Sequence, residues 1–171
     1  MPSSALTRFA GIAATALVAL FAAAAPAGAS TTVAFSATLA EPIGGIVQAP
    51  FECPANSGCA SGGGEVIGLG QVQDLVVFGG CGTDCDLRTL TFADGSTIVM
   101  HEVFSNYRTP GNSDHPTPRS RAKYGNPFTG DLNDTIVGGT GRVAGAAGSA
   151  SGTVKVAGGI ATSRLSGTIT Y

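Results

Sequence analysis

The sequence predicts an all-β fold, and three observations carry that prediction. From residue 30 onward no stretch repeats its apolar residues with a convincing helical period. Apolar residues instead recur at alternate positions over short runs, which is the period of a strand. Glycine is abundant, 26 of 171 residues, and gathers between those runs where turns belong. About seven or eight short strands with glycine turns indicate a sandwich or a barrel. Glycines set inside strand regions suit barrel corners, and no protected sheet edge is evident, so a closed barrel is the expected architecture.

Residues 1–29 read as a segment apart. Arg8 supplies a positive start, residues 9–25 form an apolar run, and Ala27-Gly28-Ala29 is a small-residue cleavage pattern. This is the layout of a secretory signal peptide, which leaves Ser30 as the first residue of a single domain, 30–171. A transmembrane anchor is the competing reading. The run is short and Ala-rich and ends in small residues rather than a basic flank, so a secreted, extracellular protein is expected, with no stable membrane insertion after cleavage. The net charge of −2 is mild and the charges are dispersed, which gives no reason to expect nucleic acid as a partner.

Taken in order, residues 32–39 alternate, with Val33, Phe35, Ala37 and Leu39 on one face. Glu41-Pro42 and Gly44-Gly45 break the strand. Residues 50–64 read as a loop holding Cys53 and Cys59. Residues 65–78 read as one strongly bent strand, with Gly68 and Gly70 at the bend, ended by Gly79-Gly80-Cys81-Gly82. The four cysteines, Cys53, Cys59, Cys81 and Cys85, are an even count in an exported chain and read as two disulfides. Of the three pairings, the local ones, Cys53–Cys59 and Cys81–Cys85, are favoured because Gly58 and Gly82 let each loop bend back. Loop entropy assigns roughly 2 kcal/mol to rings this small, and a crossed pairing would close a longer loop. Zinc is the alternative use of four thiolates. The Cys-x5-Cys and Cys-x3-Cys spacings are not those of a zinc ribbon, and no metal is expected.

Residues 88–92 and 97–104 read as a hairpin around Asp94-Gly95, a two-residue turn signal. That turn pairs Phe92 with Thr97 and Leu90 with Val99. It places Leu90, Phe92, Val99, His101 and Val103 on one face, and Ile98, Met100, Glu102 and Phe104 on the other. Both faces are largely apolar, and a one-residue change in the turn exchanges them. Residues 105–130 hold Pro110, Pro116, Pro118 and Pro127 with Arg108, Arg119, Arg121 and Lys123. They show little strand pattern, and a connection this long is often functional. A strand resumes at residue 134 and runs into Gly138-Gly139. The last hairpin, 152–157 with 160–171, turns on Gly158-Gly159. It places Val154, Val156, Leu165, Ile169 and Tyr171 on one face and Thr153, Lys155, Arg164, Ser166 and Thr168 on the other.

The segment Gly138-Gly139-Thr140-Gly141-Arg142-Val143-Ala144-Gly145-Ala146-Ala147-Gly148 resembles the GGTGxFxxAxG segment of plant dirigent proteins and the related allene oxide cyclase barrels. Val143 stands at the aromatic position, and Ala146 and Gly148 fall in register. Leu165 to Tyr171 looks like the closing strand of secreted bacterial relatives. The likeness covers mainly residues 134–171. It implies a closed antiparallel eight-stranded β-barrel of allene oxide cyclase/dirigent type with a mostly apolar lumen. It also implies steering the cyclisation or coupling of a reactive organic intermediate, and assembly as a homo-oligomer; the function expected here is cyclisation or isomerisation guided without a cofactor. No catalytic motif of those enzymes matches here, so no catalytic residue is carried over.

The candidate site residues come from the chain itself. Glu102 and His101 are adjacent on a strand, so they point to opposite faces. Whichever enters an apolar lumen is a candidate general acid or base, with Glu102 preferred and His101 second. The structural alternative is that the inward one is held by a hydroxyl or an Arg. Arg142 and Tyr107 are candidate ligand-binding residues. For Arg142 the alternative is a surface ion pair with Asp131 or Asp134, and for Tyr107, Arg108 and His115 it is a solvated loop. Asp84, Asp86 and Asp94 match no calcium loop and read as turn residues. The glycine corner lacks the GKS/T ending of a phosphate loop, and no GxSxG elbow is present. Two function classes follow: a small apolar molecule held, or guided through a cyclisation, in the lumen, or a non-catalytic surface protein with a filled barrel.

Overall fold

The computed structural model describes residues 30–42, 53–54, 57–109 and 127–171. The expected signal peptide, His115 and the middle of the 105–130 connection lie outside them. Eight strands make up the fold: β1 (Thr32–Pro42), β2 (Cys59–Val66), β3 (Gly70–Gly82), β4 (Cys85–Phe92), β5 (Thr97–Arg108), β6 (Phe128–Gly139), β7 (Ala147–Ala157) and β8 (Ile160–Thr170). Each pairs antiparallel with the next, and β8 closes on β1. The closed eight-stranded antiparallel barrel is as expected, and closure leaves no strand at the edge of a sheet. Among the described residues no helix is long and apolar enough to cross a membrane.

Several element boundaries differ from the sequence expectation. β1 is not broken at Glu41-Pro42 but runs through them, pairing Glu41 with Ala161 and Pro42 with Ile160. β4 starts at Cys85 rather than residue 88, and β7 at Ala147 rather than residue 152. The stretch read as a loop to residue 64 contains β2. Its Gly62-Gly63-Gly64 run has no side chains to show a period, and barrel closure is what demands it. A Cβ at Gly62 would collide with the Ala40 carbonyl, and one at Gly64 with the Thr38 carbonyl. The single bent strand over 65–78 is two strands. Leu69 N–H donates to the Val66 carbonyl at 2.9 Å, and Gly68 and Gly70 have φ of +81° and +105°, so the chain reverses at residues 67–69. β3 then continues through Gly79-Gly80-Cys81 to Gly82, past a bulge beyond Val77. Finally, β5 runs on to Arg108 and β6 starts at Phe128, so strand structure enters the 105–130 connection from both sides.

The β4–β5 register is a further correction, and it sets the site. Phe92 N–H donates to the Ser96 carbonyl, and Gly95 N–H to the Phe92 carbonyl. The loop therefore holds three residues, with Gly95 at φ +81°, rather than two. The Asp94 carboxylate accepts from Ser96 N–H at 3.0 Å and steadies the longer turn. Leu90 now pairs with Ile98 and Thr91 with Thr97. Leu90, Phe92, Ile98, Met100 and Glu102 are buried together, and His101 is exposed on the outer face.

The last hairpin pairs Ala157 with Ile160 as expected, with Gly158 and Gly159 at φ of +60° and +78°. Both local disulfides, Cys53–Cys59 and Cys81–Cys85, are present. The glycine corner is a single 3-10 turn, Gly141–Val143, between β6 and β7. Val143 and Ala146 from this corner are buried with Phe35, Leu39, Val66, Leu90, Phe92, Ile98, Met100, Ile136 and Ile169. That end of the lumen is a packed core. The other end carries both disulfides and the Gly158-Gly159 turn, and it is built differently.

Candidate functional site

The lumen turns polar halfway along. Arg88, on the inner face of β4, is only 2% exposed. Its Nη1 donates to Glu41 Oε1 at 2.7 Å and to Asp74 Oδ2. Its Nε and Nη2 grip the two oxygens of Glu102 at 2.9 and 3.2 Å. Four of its five N–H groups are thus engaged by three carboxyls on β1, β3 and β5. Burial opposes the charge on Arg88, but Asp74, Glu102 and Glu41 outweigh it and hold the guanidinium protonated. Burial pushes the Asp74 carboxyl well above its ordinary range, against the pull of Arg88 and with the help of Glu41. Asp134 pairs with Glu102 across β5 and β6 and neither of its oxygens has a hydrogen-bond partner among the described residues. Burial, then the charge of Glu102, raises its pKa to about 8, against Arg88.

Above this cluster lies a cavity of about 220 Å³. Arg88, Glu41 and Glu102 form its floor with Ser163, whose hydroxyl is fully buried and has no hydrogen-bond partner among the described residues. Leu132, Val154, Val156 and Ala161 form an apolar wall, and Phe78, Phe104 and Phe128 reach the mouth. Gly130 makes the wall possible, because a Cβ there would run into the Phe104 ring. Asn106 adopts φ +50° where the β5–β6 register shifts between Ser105 and Arg108. The bulge breaks strand alternation, so that Tyr107 lies on the same side as Phe104. The Tyr107 ring centroid is 5.0 Å from that of Phe128 and 5.9 Å from that of Phe104.

The chain matches no family model, no curated protein and no solved structure.

The candidate site residues separate by place. Glu102 is in the floor of the cavity, held by an Arg. Tyr107 is at its aromatic rim. His101 is outside the barrel, beside the Cys81–Cys85 bridge, where the potential ligand atoms of all three residues lie within 4.8 Å of one another. Both sulfurs are bonded to each other, so they offer no thiolate to a metal. Arg142 is at the packed end. Its guanidinium lies 4.4 Å from the Phe92 ring centroid, donates to the Leu69 carbonyl at 2.6 Å and stands 3.4 Å from Asp94. It ties three turns together, and its carboxylate partner is Asp94 rather than Asp131 or Asp134. Asp84 and Asp94 lie at opposite ends of β4, in turns, and Asp86 accepts from Gly79 N–H at 2.8 Å.

Arg88, Glu41, Asp74, Asp134 and Ser163 belong to the site although no sequence motif marks them. A signal was present. Each stands in phase with buried apolar neighbours two residues away: Glu41 with Leu39, Asp74 with Val72 and Val76, Arg88 with Leu90, Asp134 with Leu132 and Ile136, and Ser163 with Ala161 and Leu165. A polar residue on the inward phase of a strand is placed in the lumen by alternation alone.

Proposed function

We propose that the protein is an exported barrel that binds a small, largely apolar molecule in the half-hollow end of its lumen. The observation that carries this is the cavity of about 220 Å³, with apolar walls, an aromatic mouth and a polar floor. Such a site gives a ligand both burial and orientation. It is smaller than a drug-sized pocket, so the ligand is on the scale of one ring or a short chain. Export is supported by the signal-peptide pattern of residues 1–29 and by the two disulfides. The likeness of residues 138–148 to the dirigent segment belongs to the same reading.

Guiding a cyclisation or isomerisation without a cofactor is the catalytic form of this proposal, with Glu102 as acid or base. The two-point hold of Arg88 on Glu102 favours the binding form, because both carboxylate oxygens already accept from the guanidinium. The filled-barrel alternative describes the packed end only.

The test is an NMR titration of the disulfide-intact protein with a panel of one-ring aromatic and alicyclic molecules. Saturable shifts at Val154, Val156 and Leu132 are expected, and they are expected to disappear in Ala161→Phe, which fills the cavity. Shifts that do not saturate, or that survive in a folded Ala161→Phe, would reject the pocket.

A further inference from the structure

We infer that the occupant of this cavity is an organic cation: a protonated amine carried on a small apolar body. The inference rests on the pocket reading above and adds the chemistry of the head group. Three carboxyl side chains line the cavity, Glu41, Glu102 and, toward the rim, Asp86, against one guanidinium. That guanidinium does not answer for an anion. Arg88 spends four N–H groups on Glu41, Asp74 and Glu102, so its fork cannot grip a ligand carboxylate or phosphate. No other described cation enters. Lys155 and Arg164 are exposed on the outer phase of β7 and β8, Arg108 is 55% exposed near Asp131, and Arg142 is at the opposite end.

The second, independent observation is Ser163. This residue is among those that line the cavity, and its hydroxyl is buried with no hydrogen-bond partner among the described residues. A buried hydroxyl left in that state is costly, and a donor arriving from the ligand satisfies it. An ammonium has three N–H donors and no acceptor. It can serve Ser163 Oγ and the cavity-facing carboxylates together, which a single hydroxyl cannot. The mouth agrees with this assignment. Phe104, Tyr107 and Phe128 form a contiguous ring cluster with centroid distances of 5.0 to 5.9 Å, and aromatic rings attract a cation and repel an anion on approach.

The test compares three probes that share one body: 2-phenylethylamine, 2-phenylethanol and 3-phenylpropanoate, titrated into the disulfide-intact protein at pH 7 by calorimetry and NMR. The amine is expected to bind at least about tenfold more tightly than the alcohol, and the acid not to saturate. Glu41→Gln is expected to remove about tenfold of the amine's affinity and leave the alcohol within about twofold. The wild-type ranking stands even where that variant does not fold. Alcohol or acid binding as tightly as the amine overturns the cation assignment and leaves the pocket intact. No saturable binding of any of the three, with the apolar panel also silent, overturns the pocket itself.

Discussion

Arg88 and Glu102 meet at two points inside the barrel, Nε on Oε2 at 2.9 Å and Nη2 on Oε1 at 3.2 Å. They stand on neighbouring strands but not opposite each other, since Arg88 pairs with Met100 and Asp86 with Glu102. The long guanidinium stem crosses that diagonal and brings one positive charge to the centre of a carboxyl cluster. A buried pair of this kind contributes little beyond an apolar replacement of both partners, but breaking it by removing one is costly.

Arg88→Met is therefore expected to destabilise the fold by about 3–5 kcal/mol at pH 7. The loss should be smaller at pH 4, where the orphaned carboxyls take up protons. Urea unfolding at the two pH values measures both quantities. An equal loss at both would mean that Arg88 acts by packing and not by charge.

Asp134 gives the native protein a pH dependence of definite sign. Its folded pKa is raised to about 8 from an ordinary 3.8, so the folded state binds a proton that the unfolded state has released. The stabilisation from that proton is fully present below pH 3.8 and is lost as pH rises to about 8. Asp134→Asn keeps the neutral form at every pH. It is expected to flatten this part of the profile and to stabilise the protein at pH 8 by on the order of 2 kcal/mol. Carboxyl carbon NMR titration of the native protein reads the pKa directly.

The paired glycines of the corner are expected to behave oppositely. At Gly138 a Cβ meets nothing, whereas at Gly139 it would strike the Val143 carbonyl and Ala146 Cβ. Gly138→Ala should change stability by less than about 0.5 kcal/mol. Gly139→Ala should cost about 1–3 kcal/mol through overpacking. Denaturant midpoints of the two variants decide it.

Arg142 and His101 are expected to be silent in ligand binding. Arg142→Ala removes the tie from the glycine corner to the Leu69 turn and to the Phe92–Asp94 turn and should lower thermal stability slightly. Probe affinity at the far end of the barrel should stay unchanged in Arg142→Ala and in His101→Ala. A weakened ligand affinity in either variant would place binding somewhere other than the cavity.

The amino-acid pattern by itself determined the all-β class and the Gly158-Gly159 hairpin with its register, and it favoured the closed barrel and the two local disulfides over a sandwich and a crossed pairing. The first two rest on short-range physics, alternation and positive-φ glycine turns; barrel closure and the choice of pairing belong to the tertiary structure. The pattern also made one of Glu102 and His101 a lumen residue without deciding which. That choice belongs to the turn at residues 93–96. One extra residue, held by Asp94 on Ser96 N–H, exchanges the two faces of β5. The β2 strand was hidden for a related reason, since Gly62-Gly63-Gly64 has no side-chain phase and becomes a strand only because β1 closes against it. The carboxyl cluster required the tertiary structure most of all. Glu41, Asp74, Glu102 and Asp134 lie on four different strands, and only closure of the barrel gathers them around Arg88, beneath a cavity whose Ser163 hydroxyl they leave unpartnered.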